Sequence, residues 1–139
     1  MKYIVVLMVL CFAASGCSKE AEDRSVEISR SSVSVGAVFT GEEGMDNQKL
    51  AYSIVMNNPN NISIVGSADV IFTKNIKERI TRIQYESVHY DDRGTITIAG
   101  EIIYDARGLT KDEVSQYDFL KGVQFIGDDN VEYFLPIIH

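Results

Sequence analysis

Apolar and polar residues alternate with a period of two along most of this chain from Val26 onward. Val26 and Ile28 alternate with polar neighbours; after Arg30-Ser31-Ser32 the pattern resumes through Val33, Val35, Ala37 and Phe39. Successive side chains of a strand point to opposite faces, so this spacing predicts strands with one buried face. Leu50, Tyr52, Ile54 and Met56 repeat it, as do Ile62, Ile64, Gly66, Ala68, Val70 and Phe72. Asn57-Asn58-Pro59-Asn60-Asn61 stands between them as a turn signal, because Asn tolerates left-handed φ and Pro fixes its own. Leu50 to Thr73 is therefore expected to form a hairpin, with Gly66 marking a bulge or bend.

The segment from Lys74 to Gln84 carries both periods. Ile76, Ile80 and Ile83 sit at helical spacing, and Asn75 with Glu78 resembles a capping box; Thr81, Ile83, Tyr85, Ser87 and His89 alternate as a strand does. The favoured reading is a short helical turn over Lys74 to Glu78, then a strand through Tyr90. Asp91-Asp92-Arg93-Gly94 predicts a tight turn, and Thr95 to Asp105 a strand with Ile96, Ile98, Ile102 and Tyr104 on one face. Thr110 with Glu113 is a second capping-box candidate. Val114, Tyr117 and Leu120 then form an apolar stripe and Gly122 can close the helix, so one short helix is expected around 111–120. Val123–Ile126 and Val131–Ile138 predict two final strands, and Pro136 places the last at a sheet edge. The expected fold is mainly β: a small antiparallel barrel or sandwich of about seven strands with one short α-helix.

Charge narrows the function. The formal net charge is −7, with 20 acidic against 13 basic residues. Nucleic-acid affinity needs Lys and Arg to displace counterions, so a nucleic-acid partner is not expected. Acidity favours solubility or a basic partner instead. The only basic cluster is Lys74, Lys77, Arg79 and Arg82, interrupted by Glu78, and it reads as a solvated edge that blocks strand aggregation.

Candidate chemistry is sparse. His89 could act as a base or ligand beside Asp91 or Asp92, but one His without a second His or a Cys makes a poor transition-metal site. His139 has no evident role. The acid pairs Glu42-Glu43, Asp91-Asp92 and Asp128-Asp129 lack the ligand spacing of a calcium loop and read as turns. No serine-nucleophile elbow and no phosphate-binding Gly pattern occurs. Asn61-Ile62-Ser63 matches a glycosylation sequon. Tyr52, Tyr85, Tyr90, Tyr104, Tyr117 and Tyr133 suit half-buried strands as well as they suit interfaces. No catalytic, cofactor or metal residue is assigned.

The segment before Val26 is of another kind. Lys2 precedes an apolar run from Tyr3 to Ala14. At ~1.5 Å per residue the run covers about 18 Å, short of the ~30 Å hydrocarbon core, so it fits a cleaved export signal better than a membrane span. Ala14-Ser15-Gly16 then precedes Cys17. This resembles the lipobox of bacterial lipoproteins, and the resemblance covers residues 1–17 only. It implies cleavage between Gly16 and Cys17, with a diacylglycerol on the Cys17 thiol. Ser18, where that family's inner-membrane proteins carry Asp, implies the outer membrane in a Gram-negative cell. In a Gram-positive cell the same anchor implies the outer face of the cytoplasmic membrane. Cys11 would leave with the signal and Cys17 would be blocked, so no free thiol is expected in the mature chain.

The expected organisation is a signal over 1–16, a lipidated Cys with a polar tether over 17–25, and a β-domain over 26–139. The eight tether residues reach at most ~28 Å, which keeps the domain near the membrane. The expected function is a non-enzymatic, membrane-anchored module that binds an envelope protein. The alternatives are an inhibitor or immunity-type lipoprotein against a basic enzyme, a small lipid-binding barrel, and a small hydrolase using His89.

Overall fold

The structure, a computed structural model, describes residues 26–38 and 46–139; the expected signal and tether, Phe39 and Glu42-Glu43 lie outside the described residues. The described elements are β1 (Glu27–Ala37), β2 (Asn47–Asn57), β3 (Ile64–Phe72), α1 (Lys74–Lys77), β4 (Ile80–Asp91), β5 (Thr95–Asp105), α2 (Lys111–Ser115), β6 (Leu120–Gly127) and β7 (Glu132–Pro136). They build two antiparallel sheets: a four-stranded sheet in the order β1-β2-β5-β4 and a three-stranded sheet in the order β3-β6-β7. The sheets face each other as a sandwich and do not close into a barrel.

The period-two pattern sets which side chains meet. Across the larger sheet, the inward-facing residues fall into register rows. Ile28–Met56–Ile96–Tyr90 is one row and Val33–Tyr52–Gly100–Glu86 another; Val35–Leu50–Ile102–Ile83 is a third. The central members Leu50, Tyr52, Ile54, Met56, Ile96, Ile98 and Ile102 are buried, and from the smaller sheet Ala68, Leu120, Val123 and Phe125 close onto them. Each fully buried aliphatic side chain contributes about 1.5–3 kcal/mol through removal from water. Tyr52 and Phe72 meet edge to face between the sheets, with ring centroids 5.7 Å apart.

The expected hairpin at Leu50–Thr73 does not form. β2 pairs with β1 and β5, whereas β3 pairs with β6 in the opposite sheet. The turn between them carries the chain across the core, and Asn58 is the reason. Its side chain accepts from Ile62 N at 2.9 Å and donates to Ile62 O at 2.7 Å, and its own N–H donates to Gly94 O at 2.7 Å. The turn is thus tied to the β4–β5 turn and leaves its own sheet. Asn61 takes the left-handed conformation, φ 51°, and Gly66 does so at φ 77° where the β3–β6 register shifts. That shift is the bulge expected at Gly66.

The helical expectations are corrected in three places. α2 stops at Ser115, because Leu120 is buried as the first residue of β6. Gly122 lies inside β6, where Leu135 of β7 leaves no room for a side chain, and it is not a helix cap. α1 is a second helical turn, and the Asn75–Glu78 box is not made: Thr73 occupies the N-cap position without a side-chain cap bond. The Thr110–Glu113 box does form, with Glu113 N donating to Thr110 Oγ1 at 3.2 Å and Thr110 N to Glu113 Oε2 at 2.7 Å. β7 is an edge strand, as Pro136 predicts.

Candidate functional site

The sandwich is unequal. At about 4.8 Å per strand, three strands cannot cover the inner face of four. The uncovered margins lie on β1 and β4, and both present apolar side chains to solvent, as do Val65, Ile126 and Phe134 on the smaller sheet. On β4 every residue after Ile80 is exposed, and Ile83 (64%), Tyr85 (51%), Val88 and Tyr90 present large side chains. Among the described residues the strand has no hydrogen-bonded neighbour strand beyond β5. Register shifts interrupt its ladder at Ile80/Arg82 and Ile83/Tyr85, while Tyr85 to Asp91 runs regularly. Tyr90 reaches over to the smaller sheet, where its hydroxyl accepts from Ile64 N at 3.0 Å.

On the other margin, the segment from Leu109 to Phe119 stands over β1 and leaves a groove of about 610 Å³. Val33 and Val35 form its floor, and Val114, Tyr117 and Phe119 its wall. Tyr117 and Phe119 meet edge to face, centroids 6.1 Å apart, and Phe119 leans on buried Tyr104. Gln48 and Lys111 bring polar atoms to the same groove.

One polar row crosses the sheet between the margins. The Tyr52 hydroxyl donates to Glu86 Oε2 at 2.6 Å, spanning β5 over Gly100. Burial, and then the Glu86 carboxylate, push the Tyr52 hydroxyl far above its ordinary range, so it stays protonated as the donor. This pair links β2 to the edge strand.

The residues singled out in the sequence are dispersed. His89 is exposed on the outer face of β4, opposite Thr97. Asp91 instead accepts from Arg93 N at 3.0 Å, in the turn. Asp128 accepts from Ser63 N, and Asp129 from Val131 N and from the Tyr133 hydroxyl at 2.6 Å. That hydroxyl holds the Asp129 carboxyl below its usual range, and Tyr133 is in turn pushed up to about 12. Among the described residues no three His, Cys, Asp or Glu side chains gather to hold a metal ion. Arg79 of the basic cluster serves the backbone, donating to the carbonyls of Asp105 at 3.1 Å and Arg107 at 3.0 Å. Beside it, Arg107 pairs with Asp105 at 2.6 Å and holds that carboxyl down at about 2. His139 stands 3.7 Å from Asp118. Tyr52 and Tyr104 are core residues, Tyr117 and Tyr133 are half-buried, and Tyr85 and Tyr90 are exposed.

The groove residues were not legible as a group. Val33 and Val35 carry the same alternation as the core, and only the narrower opposite sheet leaves them at 39% and 38% exposure. Fold and margins together define the class: a two-sheet antiparallel β-sandwich with a free edge strand on one side and a lateral groove on the other. No known protein family, curated protein or solved structure matches this chain.

Proposed function

We propose that the chain is an exported lipoprotein, anchored through Cys17, whose β-sandwich binds another envelope protein and catalyses no reaction. The anchor rests on Lys2, the apolar run Tyr3 to Ala14, and Ala14-Ser15-Gly16 in register with Cys17. Two or three acyl chains hold a protein stably on a membrane where one does not. Ser18 favours the outer membrane in a Gram-negative host. The observation that carries the binding half is β4, a free edge that presents Ile83, Tyr85, Val88 and Tyr90 to solvent. Unpaired backbone groups along an edge, flanked by aromatic and aliphatic side chains, are what strand addition by a partner uses.

The two halves are tested separately. In the native host the wild type takes up labelled palmitate, and Cys17→Ala takes up none and accumulates as precursor; labelling of the variant would sink the anchor. Photo-crosslinking from β4 in intact cells gives one discrete partner band. Ile83→Lys and Tyr85→Lys, at sites exposed enough to spare the fold, reduce it about tenfold, as removal of an interface anchor does. An undiminished band in both variants would overturn the role of β4.

A further inference from the structure

We propose that the lateral groove between β1 and the Leu109–Phe119 segment binds a small amphipathic molecule with an apolar body and a carboxylate head. This is independent of the lipid on Cys17 and of strand addition at β4. The groove, about 610 Å³, falls within the 300–1,000 Å³ typical of small-molecule sites. Its floor and wall are apolar, from Val33 and Val35 to Val114 and Phe119. The groove stays open because the smaller sheet is one strand narrower and, among the described residues, only the Leu109–Phe119 segment stands over this margin.

The polar atoms choose the head group. The hydroxyl of buried Tyr104 donates to Gln48 Oε1 at 2.8 Å. Burial, and next the neighbouring Tyr117, raise the Tyr104 pKa, so the hydroxyl keeps the proton that it donates to Oε1. The Gln48 NH2 is the end left to the groove. The two aliphatic hydroxyls along the groove have spent their protons: Thr110 Oγ1 donates to Glu113 Oε2 at 2.9 Å and Ser115 Oγ to Asp112 O at 2.8 Å. Lys111 adds an ammonium that makes no ion pair among the described residues. Glu113 is folded back onto Thr110, and neither it nor Asp112 lines the groove. The side-chain donors left at the groove are therefore the Gln48 amide, the Lys111 ammonium and the hydroxyl of Tyr117. Together they suit an anionic acceptor such as a carboxylate, which takes charge-assisted hydrogen bonds from such donors. A cationic head would meet Lys111 unfavourably, and a hydroxyl head would lack the opposite charge that pairs with the ammonium.

The test is calorimetric titration of the full chain with decanoate, decanol and decylammonium, each below its micellar concentration. Decanoate binds saturably at one site, about tenfold tighter than decanol, and decylammonium does not bind. Val35→Glu places a charge on the floor and abolishes decanoate binding, and Lys111→Glu, on an exposed residue, weakens it about fivefold. An unchanged melting temperature in Lys111→Glu keeps the result readable should Val35→Glu lose its fold. The proposal is overturned by equal binding of all three amphiphiles or by no saturable binding. Decanoate affinity unchanged in a folded Val35→Glu or in Lys111→Glu would overturn it too. So would binding to phosphatidylglycerol vesicles that the variants abolish while monomeric decanoate fails to bind.

Discussion

Asn58→Leu lowers the unfolding free energy by about 2–6 kcal/mol, because it orphans two buried backbone groups at about 1–3 kcal/mol each. Asn58 is 3% exposed, and its amide satisfies both the N–H and the C=O of Ile62. Leu fits the volume but returns neither bond, and Ile62 is buried too deeply for water to replace them. Asn58→Asp retains the acceptor for Ile62 N and loses the donor to Ile62 O, so it falls between wild type and Leu. Urea titration reads the series as a falling midpoint at constant slope. Asn57→Ala, one residue earlier but exposed and bonded only to Glu27 at 3.4 Å, stays close to wild type. A midpoint for Asn58→Leu equal to that of Asn57→Ala would show that the clasp does not hold the turn.

Gly100→Ala costs about 1–3 kcal/mol, the range for overpacking a close-packed interior. A Cβ at position 100 would stand closer than 3.0 Å to the hydroxyl, Cζ and Cε1 of Tyr52. The Tyr52 ring lies across the glycine because the residues share one register row, and it crosses to reach Glu86 on the far strand. It cannot swing away freely, since Phe72 packs edge-on against it. The methyl therefore breaks the Tyr52–Glu86 bond and pushes on the opposite sheet. Tyr52→Leu alone also destabilises, but it removes the ring that collides with the methyl. In that background Gly100→Ala costs less than about 0.5 kcal/mol, and the double-mutant cycle yields a coupling of about 0.5–3 kcal/mol. Additive effects would mean that the glycine is required for another reason, such as backbone flexibility.

Both substitutions fall where chain pattern and tertiary structure part company. Alternation at Leu50–Met56 and Thr95–Tyr104 was enough to place β2 and β5, because strands buried along one whole face carry their geometry in every second residue. The Thr110–Glu113 cap was legible for the same local reason: both partners lie within one helical turn. The Asn-rich turn was legible as a turn, but its direction was not. A hairpin and a crossover use the same residue types, and what separates them is the bond from Asn58 N to Gly94 O, a partner far along the chain. Gly122 likewise resembled a helix end and proved to be the place where β7 leaves no room for a side chain.

The sequence by itself therefore determined the mainly-β class, most strand positions, the β4–β5 turn and the α2 cap, since each depends on neighbours a few residues away. It also carries the whole case for Cys17, which is local chemistry. Only the tertiary structure decided the rest: which strands share a sheet, that four face three, and hence that Val33 and Val35 line a groove while Ile54 and Ile98 form the core. The physical reason is that alternation records which face of a strand is apolar, and burial depends on what the opposite sheet is wide enough to cover.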